Sequence, residues 1–222
     1  MRKGLTEIVF ILDKSGSMSG LESDTIGGFN SLIERQKLED GEAYISTILF
    51  SNSSKVLHDR VAVRDVKPIT NREYRVGGGT ALLDAIGGAI HHIGNVHKYS
   101  REEDRPEKTL FVITTDGMEN SSCLYNYQRV KYMIERQKER FGWEFLFLGA
   151  NIDAVAEAQK FGIAEDRAVN YYGDSEGTIM NYAVVGAAVS KVRKCKSSIE
   201  MEESLRGWDD EIKADYSRRR KK

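Results

Sequence analysis

The residues in this chain whose types and spacing could do chemistry are oxygen donors, and they fall in three separate places. Asp13, Ser15 and Ser17 alternate in the run Asp13-Lys14-Ser15-Gly16-Ser17. Thr80 follows three glycines, Gly77, Gly78 and Gly79, and Asp116 sits in Thr115-Asp116-Gly117. The set is all oxygen, two carboxylates and three hydroxyls. Hard oxygen donors suit Mg²⁺, which prefers near-octahedral geometry and keeps part of its water, with Mn²⁺ or Ca²⁺ as alternatives. If the hydroxyls bind directly and the carboxylates act largely through water, the ion stays electron-poor. One coordination position is then left for an outside oxygen. A carboxylate from a partner protein fits it best, because it supplies the charge the site withholds.

These residues need elements that deliver them to one place. Ile8 to Leu12, Thr109 to Thr114 and Glu144 to Gly149 are apolar runs of the kind expected for strands buried on both faces. Asp13 and Asp116 each lie just past such a run. Ala43 to Phe50 reads as a further strand, and Lys55 to Val63 as its hairpin partner at an edge, after the turn-rich Ser51 to Ser54. A short last strand is expected near Ala168 to Tyr171.

Helical stripes separate the strands. Ile26, Phe29, Leu32 and Ile33 form one, with Asp24 as its expected N-cap. Leu82, Ile86, Ala89, Ile90 and Ile93 form another, opened by Thr80. Val130, Met133, Ile134 and Gln137 form a third that ends near Gly142. Asp153 to Phe161 reads as a short helix capped by Asp153, and Ile179 to Val192 as a longer one. Alternating strands and helices predict an α/β, Rossmann-like, doubly wound domain with a mostly parallel sheet and helices on both faces. Ligands in such folds sit beyond the strands' carboxyl ends, at a topological switch point. The domain is expected over 1–196. The segment 197–222 is charged and reads as a surface helix around Ile199, Leu205, Trp208 and Ile212, or as a partly disordered tail ending in the basic run Arg218 to Lys222.

Composition removes several function classes. The chain has 222 residues, 40% hydrophobic and 30% charged, with a formal net charge of -1. Near-balanced charge gives no global sign of nucleic-acid or membrane binding. Two cysteines far apart, Cys123 and Cys195, argue against a disulfide framework or a zinc site. No apolar stretch approaches the ~18 residues of a membrane span, and the N-terminal apolar run is too short for a signal peptide core. A cytoplasmic location is expected. The four histidines read as ordinary surface or boundary residues, Glu119 and Asn120 as a solvated loop, and Asp84 as first-turn dipole stabilisation. Lys14 is a candidate rim contact for an acidic partner.

The five oxygen residues also match a known pattern. Asp13-x-Ser15-x-Ser17, then Thr80 in GGGTALLDA, then Asp116 in TTDG resembles the metal-ion-dependent adhesion site of the von Willebrand factor A family. The resemblance covers roughly Thr6 to Val192 and is nearest to compact, single-domain bacterial-type members. It implies a six-stranded sheet of order 3-2-1-4-5-6 with an antiparallel edge strand, Asp13 and Asp116 on neighbouring strands, and a non-enzymatic protein-binding module. A second reading stays open: a Mg²⁺-dependent phosphoryl-transfer hydrolase with Asp13 as nucleophile. Against it, Asp13 has no second acidic residue two positions on. Nucleotide binding lacks both GxGxxG and GxxxxGK[ST]. The partner's identity and the oligomeric state are not legible in the sequence.

Overall fold

A computed structural model of the chain describes residues 1–220. Six strands form one sheet: β1 (Arg2–Asp13), β2 (Ala43–Phe50), β3 (Ser54–Ala62), β4 (Pro106–Thr115), β5 (Glu144–Ala150) and β6 (Ala168–Tyr171). Their order is β3-β2-β1-β4-β5-β6. All neighbours run parallel except β3, which pairs antiparallel with β2 at the edge. This is the order and the edge strand that the family resemblance implies.

The uninterrupted apolar runs are explained by two cores. Along β1, Ile8, Phe10 and Leu12 point to one face and Val9 and Ile11 to the other, and every one of them is buried. In β4, Leu110 and Val112 join the first core, and Phe111 and Ile113 the second. A strand covered on both sides has no polar face, so alternation vanishes from its sequence. Each such fully buried side chain contributes roughly 1.5–3 kcal/mol.

The helices α1 (Glu22–Lys37) and α5 (Ser175–Lys194) cover the first face. The second is covered by α2 (Leu82–Tyr99), α3 (Tyr127–Phe141) and α4 (Ala154–Lys160). The α2 stripe Leu82, Ile86, Ala89, Ile90 and Ile93 is buried throughout, and α3 ends at Gly142 in the left-handed conformation, φ 61°. Asp153 caps α4 by accepting from Ala156 N. Asp24 does not cap α1. A 3-10 turn at Gly16–Met18 brings the chain into the helix early, so Leu21 takes the cap position and Asp24 lies within the first turn.

Beyond Ser197 the chain forms two helices, α6 (Ser198–Ser204) and α7 (Asp210–Arg220). Gly207, at φ 65°, turns the chain between them, so no single stripe runs from Ile199 to Ile212. Ile199 stays 72% exposed, whereas Met201, Leu205, Trp208 and Ile212 are buried in the first core. The indole of Trp208 donates to Asp166 O at 3.2 Å, and α7 lies against the edge strand β6. Within the basic end, Arg219 stacks on Tyr172 and pairs with Asp174 and Asp215. Lys221 and Lys222 lie outside the described residues. No helix among the described residues is long and apolar enough to cross a membrane.

Candidate metal centre

Strand β1 ends at Asp13, and its neighbour β4 ends at Thr115, one residue before Asp116. The crevice between them opens at the strands' carboxyl ends, where the connection from β1 leads to β2 on one side while β4 lies on the other. The loop after β1 is stitched to the glycine loop by two backbone bonds, Gly16 N to Gly78 O at 3.0 Å and Gly77 N to Lys14 O at 2.9 Å. Gly77 and Gly78 take φ 152° and 83°, a path that side-chain-bearing residues rarely follow. The buried Tyr74 hydroxyl donates to Asp13 O and fixes the end of the strand from below.

The predicted oxygen residues converge. Ser17 Oγ donates to Asp116 Oδ1 at 2.6 Å, and Ser15 Oγ and Ser17 Oγ lie 3.0 Å apart. Asp13 Oδ1 accepts from Ser15 N and Asp13 Oδ2 from Thr115 Oγ1, both at 2.6 Å. Gly117 shows where Thr80 sits. A Cβ built on Gly117 would lie 3.0 Å from Thr80 Oγ1 and 3.3 Å from Ser17 Oγ, so both hydroxyls border the same point. Asp13, Ser15, Thr80 and Asp116 are buried, and Ser17 is exposed, so the cluster meets solvent through Ser17.

One atom in this cluster is left over. Asp116 Oδ2 is buried and has no hydrogen-bond partner. A buried carboxylate oxygen without a donor is costly unless a cation or a proton compensates it. Burial raises the Asp13 carboxyl above its ordinary range, against the opposing bonds from Thr115 and Ser15. Burial likewise raises Asp116; the Ser17 bond opposes it and the nearby Asp13 charge adds to it. Two desolvated carboxylates side by side, ringed by neutral hydroxyls, fit a hard divalent cation. Among the described residues no group of three or more His, Cys, Asp or Glu side chains is arranged to hold a metal, so a cation here would depend on the hydroxyls.

Several supporting residues escaped the sequence. Glu119 is half-buried and engaged rather than free in solvent: its carboxylate accepts from Leu83 N at 2.8 Å, Ser121 N at 2.9 Å and Ser122 N at 2.7 Å, tying the loop after β4 to the start of α2. Asp84 lies in the first turn of α2, and its carboxylate accepts from Cys123 N, Leu124 N and Tyr125 N. Asn120 and Asn52 each accept from the Thr80 loop, through Thr80 N and Gly79 N. Apart from Ser121 and Ser122, these partners are separated by tens of residues, and no local pattern announces them. Lys14 is half-buried and donates to Ser51 Oγ at 3.3 Å. The histidines are remote from the cluster: His58 is buried against Thr47, and His97 pairs with the buried Glu7. Cys123 and Cys195 are free.

No family model and no curated protein matches the chain at the sequence level. Solved structures do match its shape. A von Willebrand factor type A protein from Catenulispora acidiphila superposes with a TM-score of 0.54 at 14% identity, over 84% of this chain and 42% of that one. This is the von Willebrand factor A fold. Proximal thread matrix protein 1 from the mussel byssus, solved with a zinc-occupied adhesion-site motif, shares the fold with a TM-score of 0.56 at 14% identity, over 85% of this chain and 46% of that one. The ArnB paralog VWA2 from Sulfolobus acidocaldarius matches at 0.50 and 17% identity, over 85% of this chain and 44% of its own. The chain thus spans less than half the length of each of these von Willebrand A-fold proteins.

Proposed function

We propose that this chain is a metal-dependent protein-binding module and not an enzyme. Asp13, Ser15, Ser17, Thr80 and Asp116 would hold one Mg²⁺. The ion would supply a Lewis-acidic position for an acidic side chain of a partner protein. The reading rests on one observation above the others. Asp116 Oδ2 is a buried carboxylate oxygen without a donor, in a cluster whose remaining oxygens come from Ser15, Ser17, Thr80 and Asp13. A fold neighbour solved with zinc in its adhesion-site motif supports the binding of a divalent ion.

The chain's own residues divide the work. Ser15, Ser17 and Thr80 present neutral oxygens that leave the cation short of negative charge. Asp13 is held by Ser15 N and Thr115 Oγ1 on its two oxygens, which makes it a fixed counter-charge. The sequence offers no second acidic residue two positions beyond Asp13 to assist attack on a phosphoryl group, which favours a binding role over phosphoryl transfer. The exposure of Ser17 leaves the open side toward solvent and toward a partner.

Affinity capture with and without divalent metal tests this function. Partner recovery should require Mg²⁺, vanish with EDTA, and vanish in Asp13→Ala while the fold persists. Equal recovery in Mg²⁺ and EDTA, or steady phosphoesterase activity lost in Asp13→Asn, would overturn it.

A further inference from the structure

Thr80 is the donor whose placement most needs explaining, because three glycines precede it and give its loop little stiffness of its own. Its backbone is gripped from one residue. Thr80 N donates to Asn120 Oδ1 at 2.8 Å, and Asn120 N donates to Thr80 O at 3.1 Å. Both backbone polar groups of Thr80, in the peptide links on either side of its Cα, are therefore held by Asn120, one through its side chain and one through its main chain. Ser121 Oγ donates to the same Asn120 Oδ1 at 2.6 Å and fixes the amide's orientation. The neighbouring Gly79 is hemmed in by this arrangement. A Cβ there would fall 2.1 Å from Ser121 Oγ, 2.8 Å from Asn120 Oδ1 and 3.0 Å from Asn52 Oδ1. Only glycine lets the two loops come this close.

Asn120 lies four residues beyond Asp116 on the same loop, and Glu119 beside it holds the first turn of α2 through Leu83 N. The two loops that carry Thr80 and Asp116 are thereby joined into one unit. We infer that Asn120 is a positioning residue for the metal centre: by holding the backbone N–H and C=O of Thr80 it sets the distance between the Thr80 hydroxyl and the Asp116 carboxylate. Asn120 is itself exposed and contributes no core packing. Its role is geometric. Mg²⁺ and Mn²⁺ tolerate little displacement of a ligand, and residues that orient ligands affect affinity by about 10–100-fold. This inference rests on the metal-site reading above.

The test is a titration with Mn²⁺ alone, followed by the EPR signal of free Mn²⁺, on the full chain. Asn120→Ala should weaken Mn²⁺ binding by about tenfold or more. Its melting temperature in EDTA should stay near that of the wild type. Asn120→Asp keeps the acceptor oxygen and should restore affinity, measured at about 1 M salt, where screening over roughly 3 Å suppresses the added charge. In a Thr80→Ala background, Asn120→Ala should cost little more, since its effect runs through Thr80. If Asn120→Ala binds like the wild type, or loses the same factor with and without Thr80, the inference fails. A wild-type chain with no saturable Mn²⁺ binding would overturn the metal-site reading itself. Should Asn120→Ala fail to fold, Asn120→Ser, whose hydroxyl is too short to bridge to Thr80 N, takes its place with the same expected outcomes.

Discussion

Ser17 Oγ donates to Asp116 Oδ1 at 2.6 Å, across 99 positions of sequence, while the other oxygen of the same carboxylate is buried with no donor. A hydroxyl from the loop after β1 and a carboxylate from the loop after β4 are thus in direct contact beside an unsatisfied lone pair. A cation in that place would take up the unpaired oxygen and offset the Asp13–Asp116 repulsion in one step.

Metal should therefore stabilise the fold, and Asp116 should be the residue that couples the two. At a Mg²⁺ concentration about a hundredfold above Kd, linkage adds about 2.7 kcal/mol. For a chain of this size that is roughly 5–10 °C in Tm. Asp116→Asn should abolish the Mg²⁺-dependent rise and yet be no less stable than the wild type in EDTA. Scanning calorimetry of both proteins in EDTA and in Mg²⁺ checks this.

The raised carboxyls of Asp13 and Asp116 contribute to the pH dependence of the metal-free protein. A group whose folded pKa lies above its unfolded value binds more protons when folded, so its contribution to stability falls as pH rises from the unfolded value, 3.8, through the folded one. In EDTA, Asp13→Asn should accordingly gain stability relative to the wild type as pH rises through that window. The stabilising effect of Mg²⁺ should grow over the same window, because the cation competes with those protons. Urea unfolding between about pH 4 and pH 7 measures both differences. A wild type that gains on Asp13→Asn with rising pH would have the sign wrong.

Gly117 should accept no side chain without disturbing two hydroxyls of the cluster. A Cβ at that position would lie 3.0 Å from Thr80 Oγ1 and 3.3 Å from Ser17 Oγ, closer than ordinary contact. Gly117→Ala should weaken Mg²⁺ binding by roughly tenfold, about 1.4 kcal/mol. Its effect on stability in EDTA should be the smaller of the two, because the Thr80 and Ser17 hydroxyls need give only a few tenths of an ångström. Calorimetric titration alongside a melting curve separates the two effects.

The C-terminal helices should prove integral to the fold and separate from the site. Trp208 is 5% exposed and packs in the first core, with its indole N–H on Asp166 O. Trp208→Ala should cost about 3–5 kcal/mol in urea unfolding and leave Mg²⁺ affinity of the folded protein unchanged.

How much of this was legible in the sequence depended on distance along the chain. The strands carrying Asp13 and Asp116 were readable because Ile8 to Leu12 and Thr109 to Thr114 are apolar at nearly every position, which two covered faces require. The five oxygen residues were readable as a set because Asp13, Ser15, Ser17 and Asp116 follow buried strands and Thr80 precedes the α2 stripe, each element with its own local signal. Sheet order came from the family resemblance, since no local pattern says which strand lies beside which. Asn120, Glu119 and Asp84 read as solvated loop or dipole residues because their partners lie 36 to 41 positions away. Ile199 falls outside the buried stripe because it precedes Met201 by two residues on α6, roughly 200° around the helix, so the face that buries Met201 and Leu205 turns Ile199 to solvent. Asp24 gave way as a cap because the preceding turn had already started the helix.

The most direct test of the account is the location of the ion. Crystals grown with Mn²⁺ and measured for anomalous scattering should show one strong peak bounded by oxygens of Ser15, Ser17 and Thr80, with Asp13 and Asp116 close by. No peak in that crevice, or a peak held by other residues while Ser17 and Asp116 keep their direct bond, would contradict it.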